Sequence, residues 1–249
     1  MAVVERTVDI IGDDALCDII LTKTIPDSCP VDIYDDITTS LRGTALQNMK
    51  RVQSIRFTKL KRVGNSVMEG CSTLKTLDLE ACTTFGSTCF SMCSALEEVN
   101  LPLLTTADAN VFRVNSGMEN HLTRIELPEL RSVPSYMVAN RSALQTVIIP
   151  KAYALQLYAF QNNTGITQLD LPSVTSVGQD AFSGCSSMQV INFGKKVTSM
   201  NSTALRGLPE GTVINVPWAE DEVANAPWGG TGVVINYEVP YSGTVPMPT

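Results

Sequence analysis

Histidine is almost missing: His121 is the only one in 249 residues, and no serine, cysteine or acid stands beside it in a recognisable motif. Catalysis needs a nucleophile–base or acid–base constellation gathered in a pocket. The chain also lacks Gly-x-Gly-x-x-Gly, a phosphate-binding Gly-Lys-Ser/Thr, Gly-x-Ser-x-Gly and His-Glu-x-x-His. No enzyme and no catalytic residue is therefore expected, and His121 reads as an exposed loop residue. Cys17, Cys29, Cys71, Cys82, Cys89, Cys93 and Cys185 make an odd number, with no CxxC pair and no nearby histidine. That excludes a zinc site and any obvious disulfide framework, so buried free thiols without metal or cofactor are expected. No apolar run approaches the roughly 20 residues of a membrane helix. The opening Met-Ala-Val-Val-Glu-Arg lacks the basic start and apolar stretch of a secretory signal, so a signal was either removed or never present. A net charge of −7, with basic residues scattered along the chain, argues against nucleic acid. The densest basic group, Lys59-Leu60-Lys61-Arg62, sits inside a periodic segment and reads as a solvated edge.

What the sequence has instead is a period. It reads Leu74-x-x-Leu77-x-Leu79, then Cys82, Phe85, Cys89-Phe90 and Cys93, and begins again at Leu96. The same template gives Ile166, Leu169, Leu171-Pro172, Val174, Val177-Gly178, Ala181-Phe182, Cys185 and Met188. Units open at 52, 74, 96, 122, 144, 166 and 188, so the step is 22 residues, except for one of 26. The four extra residues fall within Arg113–His121 and predict a bulging loop. A looser unit runs through Ile191 to Leu208, and an eighth stops after Val213–Val216 and Pro217. Upstream, Leu41, Ala45-Leu46 and Met49 keep the second half of a unit, which puts the start of the array near Val31.

The spacing carries its own physics. Leu-x-x-Leu-x-Leu is a short strand with alternate side chains pointing inward. Proline after it donates no ladder hydrogen bond and ends the pairing. Ala-Phe-x-x-Cys has helical spacing and predicts a helical turn whose Phe and Cys plug the core. One unit cannot bury its own apolar face, whereas stacked units share a continuous one. Each then gains about 25 cal/mol per Å² of buried apolar surface, against chain entropy.

The consensus Leu-x-x-Ile-x-Leu-Pro-x-x-Val-x-x-Ile-Gly-x-x-Ala-Phe-x-x-Cys-x-x-Leu, met almost throughout by Ile166–Met188, resembles the BspA-like class of bacterial leucine-rich repeats. The resemblance covers about Val31 to Val216. It implies an α/β fold: a right-handed solenoid with a parallel concave sheet and short helical turns or loops on the convex side. It also implies kinship with bacterial surface and adhesion proteins, or with structural proteins of phages and prophages. Arg141 departs from a column that prefers Cys or Asn, and Met68 and Val138 stand where the pattern has Phe.

Three regions follow: residues 1–30 as a cap or attachment segment, 31–216 as the solenoid, and 217–249 as a C-terminal cap with an extended tail. Asp13–Leu21 has helical spacing, and Ala219–Ala226 reads as a short helix with acids in its first turn. Trp218 and Trp228 are expected to cover the last repeat's core, a strand within Val233–Val239 to extend the sheet, and Pro240–Thr249 to be loosely held. The segment from Pro217 to Tyr237 resembles the close of repeat proteins encoded in phage and prophage tail regions.

If Leu77 and Leu79 point inward, their neighbours point out. One outward column is then Arg56, Asp78, Asn100, Glu126, Ile148, Asp170, Asn192 and Asn215; the other is Ser54, Thr76, Glu98, Arg124, Thr146, Gln168, Val190 and Val213. Arg56 with Asp78, and Glu98 with Arg124, are expected to pair along the sheet. The candidate binding residues are Arg56, Asp78, Glu98, Asn100, Arg124, Glu126, Gln168 and Asp170. Neither column offers an aromatic ring for a sugar, which favours protein, or a purely scaffolding role, over cell-surface glycan. The expected function is a non-enzymatic recognition module of a phage or prophage virion, attached to other virion proteins or to its own copies through residues 1–30. The alternative is a bacterial cell-surface adhesin. The expected location is the virion or the extracellular surface, with the cytoplasm as the alternative.

Overall fold

The computed structural model describes residues 2–6, in backbone only, together with 31–36 and 38–248. Among these residues all regular elements are β-strands, and all the strand pairings are parallel. The helix expected over Asp13–Leu21 lies outside the described residues, as do Cys17 and Cys29.

Each coil contributes one longer strand to the first ladder. Val31–Asp35, Val52–Phe57 and Thr76–Asp78 are followed by Glu98–Asn100, Arg124–Glu126 and Thr146–Ile148, then by Gln168–Leu171, Val190–Phe193, Val213–Asn215 and Val234–Asn236. Ala2–Arg6 pairs in register with Val31–Asp35 and precedes them all. Hydrogen bonding runs in three stretches, and the strands across the two breaks still lie side by side. The period sets the register: Ile55 stands opposite Leu77, Ile125 between Val99 and Val147, and Ile191 between Leu169 and Ile214. All of these point into one shared core. The 26-residue step leaves the register intact, because its extra residues are spent in a loop.

A second ladder of two-residue strands runs parallel to the first. Ser40–Leu41, Arg62–Val63, Thr84–Phe85 and Thr106–Ala107 form one stretch; Ser132–Val133, Ala154–Leu155, Ser176–Val177 and Ser199–Met200 form the other. In these pairs the second residue is the buried one, from Leu41 and Val63 to Val177 and Met200, with Ala107 partly buried.

The Ala-Phe-x-x-Cys stretches are not the helical turns that their spacing predicts. Those at 88–93, 158–163 and 180–185 carry two residues of positive φ four positions apart: Thr88 and Met92, Tyr158 and Asn162, and Asp180 and Gly184. An α-helix of L-residues does not accommodate that backbone. Their N–H groups reach the next coil instead: Phe90 N donates to Val111 O at 3.1 Å, and Phe160 N to Ala181 O at 2.9 Å. A tight turn and a helix both return a side chain to the core after three or four residues, so spacing alone does not separate them. The plugs behave as expected. Phe160 stacks on Phe182 at 6.1 Å, and Phe90 on Phe112 at 5.8 Å.

Arg141 has a structural reason. The inserted loop Arg113–His121 exposes Glu119, the residue three before Leu122, so the coil supplies no side chain to the column of Cys93 and Cys185. Arg141, fully buried, reaches from the next coil into that gap; Nε donates to Phe112 O and Nη1 to Cys93 O at 3.0 Å. Burial pushes its pKa down to about 10, although the Cys93 side chain favours the charged form.

At the C-terminal end Trp218 and Trp228 are both buried, edge to face with centroids 6.4 Å apart, and Trp218 packs against Phe193. They close the core, as expected. The helix expected over Ala219–Ala226 does not form: Asp221 and Asn225 both have positive φ, and the segment is a run of turns. The strand beyond it, Val234–Asn236, adds a last rung.

Candidate functional site

The outward columns of the long-strand ladder are in the expected register. Arg56 lies beside Asp78; Glu126 lies between Asn100 and Ile148; Asn192 lies between Asp170 and Asn215. The neighbouring column sets Arg124 between Glu98 and Thr146, and Gln168 beside Val190. The two ends of this face differ in chemistry.

Towards the N-terminus the face is charged and open. Arg56 Nε is 3.0 Å from Asp78 Oδ2, and both side chains are about half exposed. The Arg56 guanidinium also lies 5.8 Å from the centre of the Tyr34 ring, an aromatic on the adjacent strand Val31–Asp35. Glu98 stands opposite Arg124 as expected, but the ion pair does not form between them. Arg124 Nη2 meets Glu126 Oε2 at 2.8 Å instead. Residues two apart on a strand share a face, so Glu126 competes for the same guanidinium and leaves Glu98 exposed.

Towards the C-terminus the same column becomes a directed chain of amides. Asn236 Nδ2 donates to Asn215 Oδ1 at 2.9 Å, Asn215 Nδ2 to Asn192 Oδ1 at 2.8 Å, and Asn192 Nδ2 to Asp170 Oδ1 at 2.7 Å. The chain ends on the carboxylate, which only accepts. Gln168 Nε2 donates to it as well. So does the C-terminal tail: Thr244 N and Oγ1 reach Asp170 Oδ2 at 2.6 and 2.8 Å, with Val245 N at 3.4 Å. Asp170 is consequently only 3% exposed, and Val245 above it 6%. The tail, expected to be loosely held, is pinned across the sheet. Burial pushes the Asp170 carboxyl up, but the hydrogen bonds from Asn192, Gln168 and Thr244 outweigh it and hold the pKa below its ordinary value. Beside the strap lies a recess of about 320 Å³ lined by Arg124, Thr146, Ile148, Gln168, Val245 and Pro246.

A model described as a BspA type leucine rich repeat region, in six copies, matches residues 30–121 and 114–219. The chain belongs to the BspA-type leucine-rich repeat family. This repeat protein is similar in fold to a leucine rich cell surface protein of Faecalibacterium prausnitzii A2-165, with 22% identity and a TM-score of 0.55. The likeness covers 64% of this chain and 43% of that one, so this chain spans less than half of that protein's length. It is also similar to the Treponema pallidum leucine rich repeat protein, with 13% identity, a TM-score of 0.50, and coverage of 74% and 80% of the two chains. No curated protein sequence matches the chain.

Cys71, Cys82, Cys89, Cys93 and Cys185 are buried free thiols. Burial pushes Cys82 up to about 11 and Cys185 to about 12, and Cys89 well above the ordinary range. Such thiols stay protonated and unreactive at neutral pH. His121 is exposed in the inserted loop. Among the described residues no three His, Cys, Asp or Glu side chains gather as a metal site, and no helix is long and apolar enough to cross a membrane. Sequence reasoning missed Tyr34, because the first rung departs from the consensus, and missed Thr244, because the tail has no period to place it.

Proposed function

We propose that this BspA-type repeat protein is a non-enzymatic binding module whose docking surface is the open part of the long-strand face, from Tyr34 to Glu126, and that its partner is a protein. One observation carries this reading. Arg56, Asp78, Glu98, Asn100, Arg124 and Glu126 lie on adjacent rungs, each exposed or half-exposed, and no described residue covers them. Alternating cations and anions on a rigid sheet give register-specific complementarity, which serves recognition more than raw affinity. Asp170 drops out of the surface, because the chain's own tail and amides occupy its carboxylate, while Gln168 stays exposed with its amide turned onto that carboxylate.

A cell-surface location is the reading favoured by the fold's similarity to a protein described as a leucine rich cell surface protein. The alternative of a phage or prophage virion rests on the resemblance of residues 217–237 to phage-encoded endings. In the structure that segment closes the core with Trp218 and Trp228, a task that any such array sets its last coil. The test is binding to intact bacterial and host cells by the wild type and by a triple variant, Asp78→Lys, Glu98→Lys and Glu126→Lys. Loss of binding with an unchanged melting temperature supports the docking face. Undiminished binding by that variant, together with loss on Thr106→Lys in the short-strand ladder, overturns it.

A further inference from the structure

Charge is distributed unevenly along this chain. Residues 38–68 contain seven of its 18 basic residues and no Asp or Glu, although the net charge is −7. Two of the seven, Arg42 and Arg62, stand exposed at the short-strand ladder, away from the face discussed above. There they line a recess of about 550 Å³ together with Ser40, Asn65, Thr84 and Asp108.

Its geometry follows from the ladder. Ser40, Arg62, Thr84 and Thr106 occupy one column. Two residues further on, Gly64 N bonds to Leu41 O, Gly86 N to Val63 O and Asp108 N to Phe85 O, so Arg42, Gly64, Gly86 and Asp108 form a second. At about 4.8 Å per rung that column spans roughly 14 Å, with a cation at one end, a carboxylate at the other and bare backbone between. The floor has to stay bare: a Cβ on Gly86 would meet Asn65 N and the Gly64 carbonyl carbon, each at 2.7 Å. Among the described residues Arg62 makes no ion pair. The apolar lining residues Leu41, Val63 and Phe85 are at most 2% exposed. A ligand in the trough therefore meets guanidinium, hydroxyl, amide, carboxylate and backbone groups, with no apolar anchor.

We propose that this trough binds an acidic saccharide: its carboxylate gripped by Arg62, its hydroxyls hydrogen-bonded by Ser40, Asn65, Thr84 and Asp108. Guanidinium pairs with carboxylate through two parallel hydrogen bonds. Asp108 accepts from hydroxyls and repels a second negative group at the far end, so the fit is to one acid followed by a neutral, hydroxylated unit. A polyanion with charge at every step does not fit. The site is independent of the protein-docking face, and either can fail without the other.

The test is calorimetric titration of the full chain with an oligosaccharide of alternating glucuronate and N-acetylglucosamine. Its carboxyl-reduced neutral form and a glutamate-containing peptide of equal charge serve as comparisons. The oligosaccharide should bind and the other two should not. Arg62→Gln should weaken binding by roughly tenfold or more, as expected for one lost bidentate charge-assisted pair. Lys195→Gln on a distant coil should leave binding unchanged, and neither variant should shift the melting temperature. Absence of binding by the oligosaccharide, or unchanged affinity of Arg62→Gln, overturns the site. Equal binding of the peptide overturns its assignment to a saccharide.

Discussion

The long-strand face has two ends built on one template and finished differently. From Arg56 to Glu126 its outward residues are mostly charged, include the ion pairs Arg56–Asp78 and Arg124–Glu126, and are open to solvent; from Asp170 to Asn236 they form an amide chain that ends under the chain's own tail. Beneath both ends the core is the same, with Ile55, Val99, Leu169 and Ile191 at 2% exposure or less. Period and alternation decide which side chains face out, and the chemistry of those side chains decides whether a rung stays available. Exposed ion pairs contribute little to stability, so they can be arranged for a partner at small cost to the fold. A buried carboxylate with five donors is committed to the fold instead.

That contrast can be broken most severely at the join between the halves. Arg141→Ala should cost about 3–5 kcal/mol in urea denaturation, because it leaves Phe112 O and Cys93 O unpaired and opens a void. Arg141→Met should cost less, since an apolar replacement also removes the desolvation of a buried ion. In the shared core the halves should behave alike: Leu77→Ala and Leu169→Ala are each expected to cost about 2–5 kcal/mol. On the surface they should diverge. Asp170→Asn should cost about 1–3 kcal/mol, the penalty for weakening hydrogen bonds to a buried charged acceptor. Asp78→Asn, at a half-exposed ion pair, should cost less than about 1 kcal/mol. pH sharpens the same comparison. The Asp170 carboxyl is held below its ordinary value in the folded chain, so its stabilisation is complete above about pH 4 and is lost as pH falls through the lower, folded value. Tail docking, followed by tryptic release of C-terminal peptides or by amide exchange, should persist from neutral pH to about pH 4 and fail below it.

Much of this was legible in the residues. Leucines at 77, 79, 169 and 171 placed the strands, and their neighbours placed the columns, because a strand has only two sides. The turns were misread because Phe and Cys spaced for a helix are equally spaced for a turn with two left-handed residues, and positive φ leaves no mark when Thr88, Met92 or Tyr158 adopts it. Glu98 and Arg124 were correctly set opposite each other, but a register does not choose between two acids within reach of one guanidinium. The tail was least legible. Thr244 meets Asp170 across 74 residues through two hydrogen bonds, and nothing periodic announces such a contact.

The division of the face into an open and a sealed part is most directly tested by backbone amide exchange at the tail. Thr244 and Val245 N–H groups should be protected relative to the neighbouring Ser242 and Gly243 in the wild type, and should lose that protection in Asp170→Asn while the amides of Leu169 and Ile191 keep theirs. Thr244 and Val245 exchanging as fast as a free peptide in the wild type would contradict it, and would return Asp170 to the open surface.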